Sequence, residues 1–456
     1  MQYRHYLMAF SILWSSNVSA ITLQEALTLA YKNSEQLKIA QENFMGEIEA
    51  MPQAISGFMP KISAGISLDD TKTTSTSGQS GPGSRSISDT SRNINLKQNL
   101  FSGGSDVAAV KSAQSAYRAS RAKLYSAEQK ILLEALEAYM AFYEAKETYD
   151  VRKVSVEFNS NQLEATEARF KLGEATRTDV AQAHAAFLKA ESDQAIAFAN
   201  LEAAKALFQK TFATDPVDIA LPDAPGDLPE NLDALMSKTS VSNLDVAQAK
   251  HSLASSKANA VSATGALLPS ADFTAKLSQV YYNPESSANA QGSNANNNQR
   301  TFTTSVGVTI PILSSGGAEY SKIRKAKSEA RRSAHQVAEA TNAVKASAIG
   351  SFAGYQASNV AISSADQAVK AYELTLEGVT QEYNVGSKVI SDVLKAEEDF
   401  SATKIQSIRA KKQMITSAYQ MKASMGEMTA VSLKLPVKYF NPGTEFRKVK
   451  GKIVGF

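Results

Sequence analysis

The 456-residue chain has no cysteine. That excludes a disulfide framework, thiol nucleophiles and thiolate metal sites; it also removes the residue that a bacterial lipid anchor needs, so a lipoprotein is not expected. Net charge is close to absent as well. The 48 Lys and Arg stand against 45 Asp and Glu for a balance of +3, which gives no electrostatic case for nucleic acid as a partner. Histidine is scarce. His5, His184, His251 and His335 lie on different segments, without metal spacing or a neighbouring nucleophile, so they read as solvated helix positions and neither an enzyme nor a bound cofactor or metal is expected. Gly81-Pro82-Gly83 is a turn signal with no phosphate-binding context. Beyond residue 20 no uninterrupted apolar run approaches the ~18 residues of a membrane helix, so passage through a bilayer would have to be made by a β-barrel. Between Ser105 and Lys171 there is neither proline nor interior glycine, and that stretch as one helix would be about 100 Å long.

What is present is a duplication. Phe170, Gly173, Asp179 and Val180 are spaced like Tyr383, Gly386, Asp392 and Val393, and the step from Gly173 to Gly386 is 213 residues (386 − 173). The pairs Gly103-Gly104 and Gly316-Gly317 give the same step of 213 (316 − 103). Two separate landmarks with one offset divide the chain into a secretory signal (1–20, with Arg4 and His5, an apolar core and Val18-Ser19-Ala20), a first repeat (21–214), a Pro-rich linker (215–235), a second repeat (236–430) and a tail (431–456). Ile362, Ala365, Val369, Tyr372, Leu376, Val379 and Tyr383 recur in steps of three and four, the seam of a coiled coil. Each seam stops at a glycine, so Gly173 and Gly386 read as the tips of two helical hairpins.

Each repeat opens with a helix-periodic segment, the first from Thr22 to about Met51. Two alternating segments follow: Ile62–Leu68 and Ile94–Leu100 in the first repeat, Phe273–Leu277 and Phe302–Ile312 in the second, which predicts four strands of roughly ten residues. The polar stretches Asp69–Arg92 and Asn283–Arg300 read as loops between them. The long helices Ser105–Lys171 and Ala318–Val385 match the summed length of two shorter helices in each repeat. The expected fold is therefore mainly α, with long duplicated coiled-coil hairpins and four β-strands per chain. Ala- and Ser-rich helices bury little apolar area, and four strands leave two open edges, which a bilayer does not permit. Closed oligomerisation relieves both.

The pattern resembles the TolC-like outer-membrane factor family of efflux and type I secretion channels. The match runs from Leu23-Gln24-Glu25-Ala26-Leu27 to about Thr429 and includes Leu100-Phe101-Ser102-Gly103-Gly104 and both tips. The resemblance implies a homotrimer in the outer membrane of a Gram-negative bacterium, with a 12-strand membrane β-barrel on a 12-helix periplasmic α-barrel. Its implied partners are a periplasmic adaptor (membrane fusion) protein, an inner-membrane transporter (ABC or proton-driven) and outer-membrane lipid. It also implies gate links at Asp179, Tyr383 and Lys388, where the family's usual arginine has become lysine, and adaptor contacts at the tips Gly173, Glu174, Gly386 and Ser387. Asp392 falls on the first of two pore-ring aspartates, but the second position is Lys395, which would offset the ring's negative field. Asp179 can equally be a helix N-terminal carboxylate and Tyr383 a seam residue. The tail from Val437 to Phe456 is similar to members serving type I secretion. The competing reading is a secreted periplasmic coiled-coil structural or adaptor protein.

Overall fold

The computed structural model describes residues 21–75, 83–216, 218–282, 298–313 and 316–452. The segment read as a secretory signal, Gly81-Pro82, Ser314-Ser315 and most of the second polar stretch lie outside the described residues. Helices α1 (Leu23–Asn33), α2 (Glu35–Ile48) and α3 (Ala50–Ile55) lead into strands β1 (Lys61–Ser75) and β2 (Gly83–Ser102). The 67-residue helix α4 (Ser105–Lys171) and its return helix α5 (Arg177–Phe212) complete the first repeat. The order recurs as α6 (Leu232–Ser242), α7 (Leu244–Gly265), β3 (Ser270–Tyr282), β4 (Asn298–Thr309), the 67-residue α8 (Ala318–Asn384) and α9 (Ile390–Ser424), followed by α10 (Pro442–Lys450). The described residues form two compact units, one drawn from 21–40, 125–244 and 342–439, the other from 41–124, 245–341 and 440–452. Each draws on both repeats, so the spatial division cuts across the duplication.

Local chemistry accounts for the boundaries. Thr22 and Glu25 make a reciprocal capping box at the start of α1, with the Thr22 N–H 2.9 Å from the Glu25 carboxylate. The helix-periodic segment from Thr22 to about Met51 forms α1, α2 and the start of α3. Ser34 leaves helical geometry with ψ 112°, and its hydroxyl accepts from the Leu37 N–H at 3.2 Å, so a good N-cap residue restarts the helix there. Between β2 and α4, Gly103 and Gly104 have φ of +60° and +80°, and their counterparts Gly316 and Gly317 have +62° and +89°. Two successive left-handed residues turn a strand into a helix here, which is why the glycine pair recurs. α10 was not anticipated in the tail, although Asn441-Pro442 is a helix start: the Asn441 side chain accepts from the Gly443 and Thr444 N–H groups.

The first unit is centred on Leu132, Leu136, Tyr139 and Met140 of α4, packed by α1 residues such as Leu27, by Phe208 and Phe212 of α5, and by Met428 and Leu435. The Tyr139 hydroxyl lies 2.8 Å from the Ile21 carbonyl and 2.7 Å from that of Ala220. Burial pushes this phenol up to about 12, so it stays a donor, pinning the linker, which also forms an isolated parallel bridge from Ile219 to Ile21.

The second unit holds the sheet, with strand order β1-β2-β3-β4 and every neighbour antiparallel. The four expected strands are present, but they are longer than expected. Asp69–Ser75 pairs with Gly83–Asp89, so these parts of the polar stretch read as a loop are ladder, and Asn298–Arg300 pairs with Gln279–Tyr281. The Ser/Thr-rich composition was a poor guide because hydroxyls bond across strands, as in Ser67 with Ser91 at 2.7 Å and Thr274 with Ser305 at 2.7 Å. β4 stops at Thr309 rather than Ile312; Pro311, two residues on, has no N–H for a ladder.

Candidate functional site

Both hairpin tips use the same turn. Gly173 and Gly386 have φ of +82° and +81°, and the following N–H groups bond back to the helix end: Glu174 to the Arg169 carbonyl at 2.9 Å, Ser387 to that of Glu382 at 2.8 Å. This is the Schellman arrangement, which exposes Gly173, Glu174, Gly386 and Ser387 at the ends of the two long helices. Nothing stands within 4 Å of a Cβ built at either glycine, so the conformation, not crowding, demands them.

The two return helices begin differently, and this decides where the two aspartates go. In α5 the N-cap is Thr176, and the Asp179 carboxylate accepts from its N–H at 2.8 Å and its hydroxyl at 2.7 Å. In α9 the same position is Val389, which has no capping side chain, so Asp392 is left without that role. It lies 4.0 Å from the Lys388 ammonium instead, both groups roughly half exposed. Within one chain, among the described residues, Asp179 reaches neither Tyr383 nor Lys388.

Tyr383 is 9% exposed and packs with Ile390 and Val393, against Phe158 of α4. Its ring carries the Arg169 guanidinium, whose central carbon stands 4.5 Å from the centroid, and the same guanidinium donates to the Asn384 side-chain oxygen at 3.2 Å. Arg169 thus ties the end of α4 to the end of α8. It did not stand out in the sequence, because its partners are over two hundred positions away and its counterpart in the other repeat is Glu382.

One turn further along α9, Lys395 is exposed and borders a polar cavity of about 330 Å³ that Arg152, Lys189 and Glu397 also line. Glu397 is buried beside Asn159, and burial raises its carboxyl above the usual carboxylate range, although the Ser155 and Asn159 side chains and Arg152 act in the opposite direction. Lys395 and Asp392 therefore sit on the same short stretch, with opposite charge.

The sheet is two-faced. Ile62, Ile66 and Leu68 of β1 share a face with Ile94, Leu277, Phe302, Val306 and Val308, and most of these are exposed in the single chain. The other face carries Ser63, Asn93, Asn95, Lys276, Ser278 and Ser305. Within β4 the apolar set from Phe302 to Val308 covers six residue steps, which at about 3.3 Å each with a tilt of about 40° span about 15 Å. Among the described residues no helix is long and apolar enough to cross a membrane.

The family model described as outer membrane efflux protein matches residues 26–209 and 235–427. The outer membrane efflux protein BepC of Brucella suis biovar 1 (strain 1330) is 27% identical over 453 residues, covering 98% of this chain and 95% of that protein. The outer membrane protein TolC of Escherichia coli (strain K12) is 24% identical over 426 residues, covering 92% and 85%. Among solved structures, the CmeC outer membrane channel of Campylobacter jejuni superposes with a TM-score of 0.79 at 16% identity, covering 94% of this chain and 89% of that one.

Proposed function

The chain belongs to the outer membrane efflux protein family, and we propose that it works as a homotrimeric exit duct: the sheets of three copies close into a barrel in the outer membrane while the helical hairpins line a periplasmic conduit. The observation that carries this reading is the four-stranded sheet with an apolar face, whose β1 and β4 edges have no partner strand among the described residues. An unpaired strand edge in hydrocarbon costs several kcal/mol for each exposed polar group, so the edges of neighbouring copies must meet. Exposed apolar side chains on the helices, such as Ile196, Phe198 and Leu374, would be covered by the same assembly.

In this reading the duct has no catalytic chemistry of its own. A periplasmic adaptor engages Gly173, Glu174, Gly386 and Ser387, an inner-membrane transporter supplies energy, and the tips separate when the adaptor binds the open arrangement more tightly. Efflux is the first reading of the transport, since the BepC relative is named an outer membrane efflux protein. Type I protein secretion is the second reading, favoured by the likeness of the tail. Tyr383, Lys388 and Asp179 act at the gate, Asp179 only after releasing Thr176. Asp392 and Lys395 face the bore as rings of opposite sign.

Fractionation with amine crosslinking tests the assignment: a trimer-sized species in the outer membrane is expected, together with ethidium accumulation in a deletion strain that complementation reverses. Recovery from the soluble periplasm would favour the coiled-coil adaptor reading instead. Normal dye efflux with loss of one secreted protein would move the cargo to type I secretion.

A further inference from the structure

The apolar face of the sheet carries two arginines at one level. Ile66 pairs with Arg92, Arg92 with Gln279, and Gln279 with Arg300, so these four side chains form a row across all four strands. Two residues nearer the helices the same face presents Ala64, Ile94, Leu277 and Phe302. Two residues further away it presents Leu68, Thr90, Tyr281 and Asn298. The row thus lies where this face passes from wholly apolar to mixed side chains. Tyr281 marks it as an aromatic girdle would, and the Arg92 guanidinium stands 5.3 Å from its ring centroid.

We infer that Arg92 and Arg300 form a binding site for the phosphorylated headgroups of outer-leaflet lipid. The inference rests on the membrane reading above, which sends the strand ends remote from the helices to the cell exterior. Neither arginine makes an ion pair among the described residues. With Gln279 they border an open recess of about 600 Å³ whose remaining lining is largely apolar. Neighbouring strands are about 4.8 Å apart, which puts the two arginine backbones about 10 Å from one another with an amide between them. Two guanidinium forks at that spacing can hold one phosphate from both sides, or two phosphates on one glycolipid, and the planar fork matches phosphate oxygens in pairs. Acyl chains of the same lipid would lie along Ile94, Leu277 and Phe302. Anionic headgroups offset two positive charges placed at the edge of hydrocarbon; neutral ones do not. The acid described furthest out on this face of β1, Asp70, stands four residues beyond Ile66 and accepts from Ser88 at 3.1 Å, so it does not compete for the pair.

The test uses the full-length protein, first inserted into liposomes to verify membrane assembly, then assayed in maltoside detergent. Its melting is followed with a lipid A carrying two phosphates, with the same lipid dephosphorylated, and with inorganic phosphate. The expected result is a rise in melting temperature with the phosphorylated lipid alone. Arg92→Gln with Arg300→Gln should weaken its apparent affinity at least tenfold. Lys276→Gln, which removes one positive charge from the opposite face, should leave it intact, and Arg92→Lys with Arg300→Lys should fall between. An equal rise with the dephosphorylated lipid, a rise with inorganic phosphate alone, or an unchanged affinity in the double glutamine variant overturns the site. Failure of the wild type to insert overturns the membrane reading and this inference together, whereas an inserted protein indifferent to phosphate overturns only the inference.

Discussion

Replacing Arg169 by glutamine removes the one side chain described as bridging the ends of α4 and α8, and its effect can be sized from the geometry. A guanidinium 4.5 Å from the centroid of a ring that is 9% exposed contributes about 1 kcal/mol, between the values for exposed and desolvated cation–π pairs. The hydrogen bond to Asn384 is exposed and adds about 0.5 kcal/mol. The sum of about 1.5 kcal/mol per chain becomes about 4.5 for three copies acting together, a shift of roughly a thousand-fold in the equilibrium between tied and separated tips. Tyr383→Phe keeps the ring face and removes a hydroxyl for which the structure gives no hydrogen bond, so it should change the balance by less than about 0.5 kcal/mol. Single-channel conductance in planar bilayers, with trimer melting measured alongside, separates the two. Arg169→Gln should raise the open probability with melting unchanged, because the core around Leu136, Tyr139 and Phe208 is untouched. Wild-type conductance in a correctly inserted Arg169→Gln trimer would refute the tie. A large opening by Tyr383→Phe would show instead that the hydroxyl makes a gate link with a neighbouring copy.

Val306→Arg places a charge near the middle of the apolar face of β4 and should cost about 2 to 4 kcal/mol, seen as lost assembly in an outer-membrane folding assay, while Ser305→Arg on the opposite face should assemble normally. Equal assembly of the two would reverse the assigned faces. Lys395→Asp should give a bore that trivalent cations block at far lower concentration than in the wild type, since a second acidic ring replaces a neutralising one; identical blocking curves would place Lys395 away from the bore. For Glu397 the folded pKa lies above the unfolded one near 4.5. The folded state therefore holds a proton that the unfolded state releases, and the associated stability is complete below about pH 4.5 and lost as pH rises through the folded value. Glu397→Gln should raise the melting temperature at pH 7.5 and flatten its decline between acid and neutral pH. An unchanged slope would put the origin of that decline elsewhere, for example at Glu128, whose carboxyl is raised by burial in the same sense.

The long helices were legible because a seam repeated over many turns leaves little choice of period, and the duplication was legible because the glycines that end those helices have no substitute at φ near +80°. The strands were located but cut short. Serine and threonine serve equally in a loop and on the wet face of a sheet, and only the pairing partner tells them apart. At the tips, Thr176 with Asp179 spells a capping box that could have been read directly, and Val389 in the second copy explains why Asp392 has no such partner. Arg169 could not be read, since its partner Asn384 lies 215 positions away and nothing local marks the contact.

The pairing of β2 with β3 joins the first repeat to the second, and this orders events during export. Asn93 of β2 waits for Ser278 of β3, so the first hairpin reaches the periplasm with an unmatched edge. At about 5 to 20 residues per second, the intervening chain takes on the order of 10 to 40 s to be synthesised. Until β3 arrives, the first hairpin presents a template for adventitious strand addition beside an uncovered row of isoleucines. A chain cut short within the second repeat before Ser270 would never lose that edge, and it should be recovered as aggregate or degraded rather than as a half-sized channel.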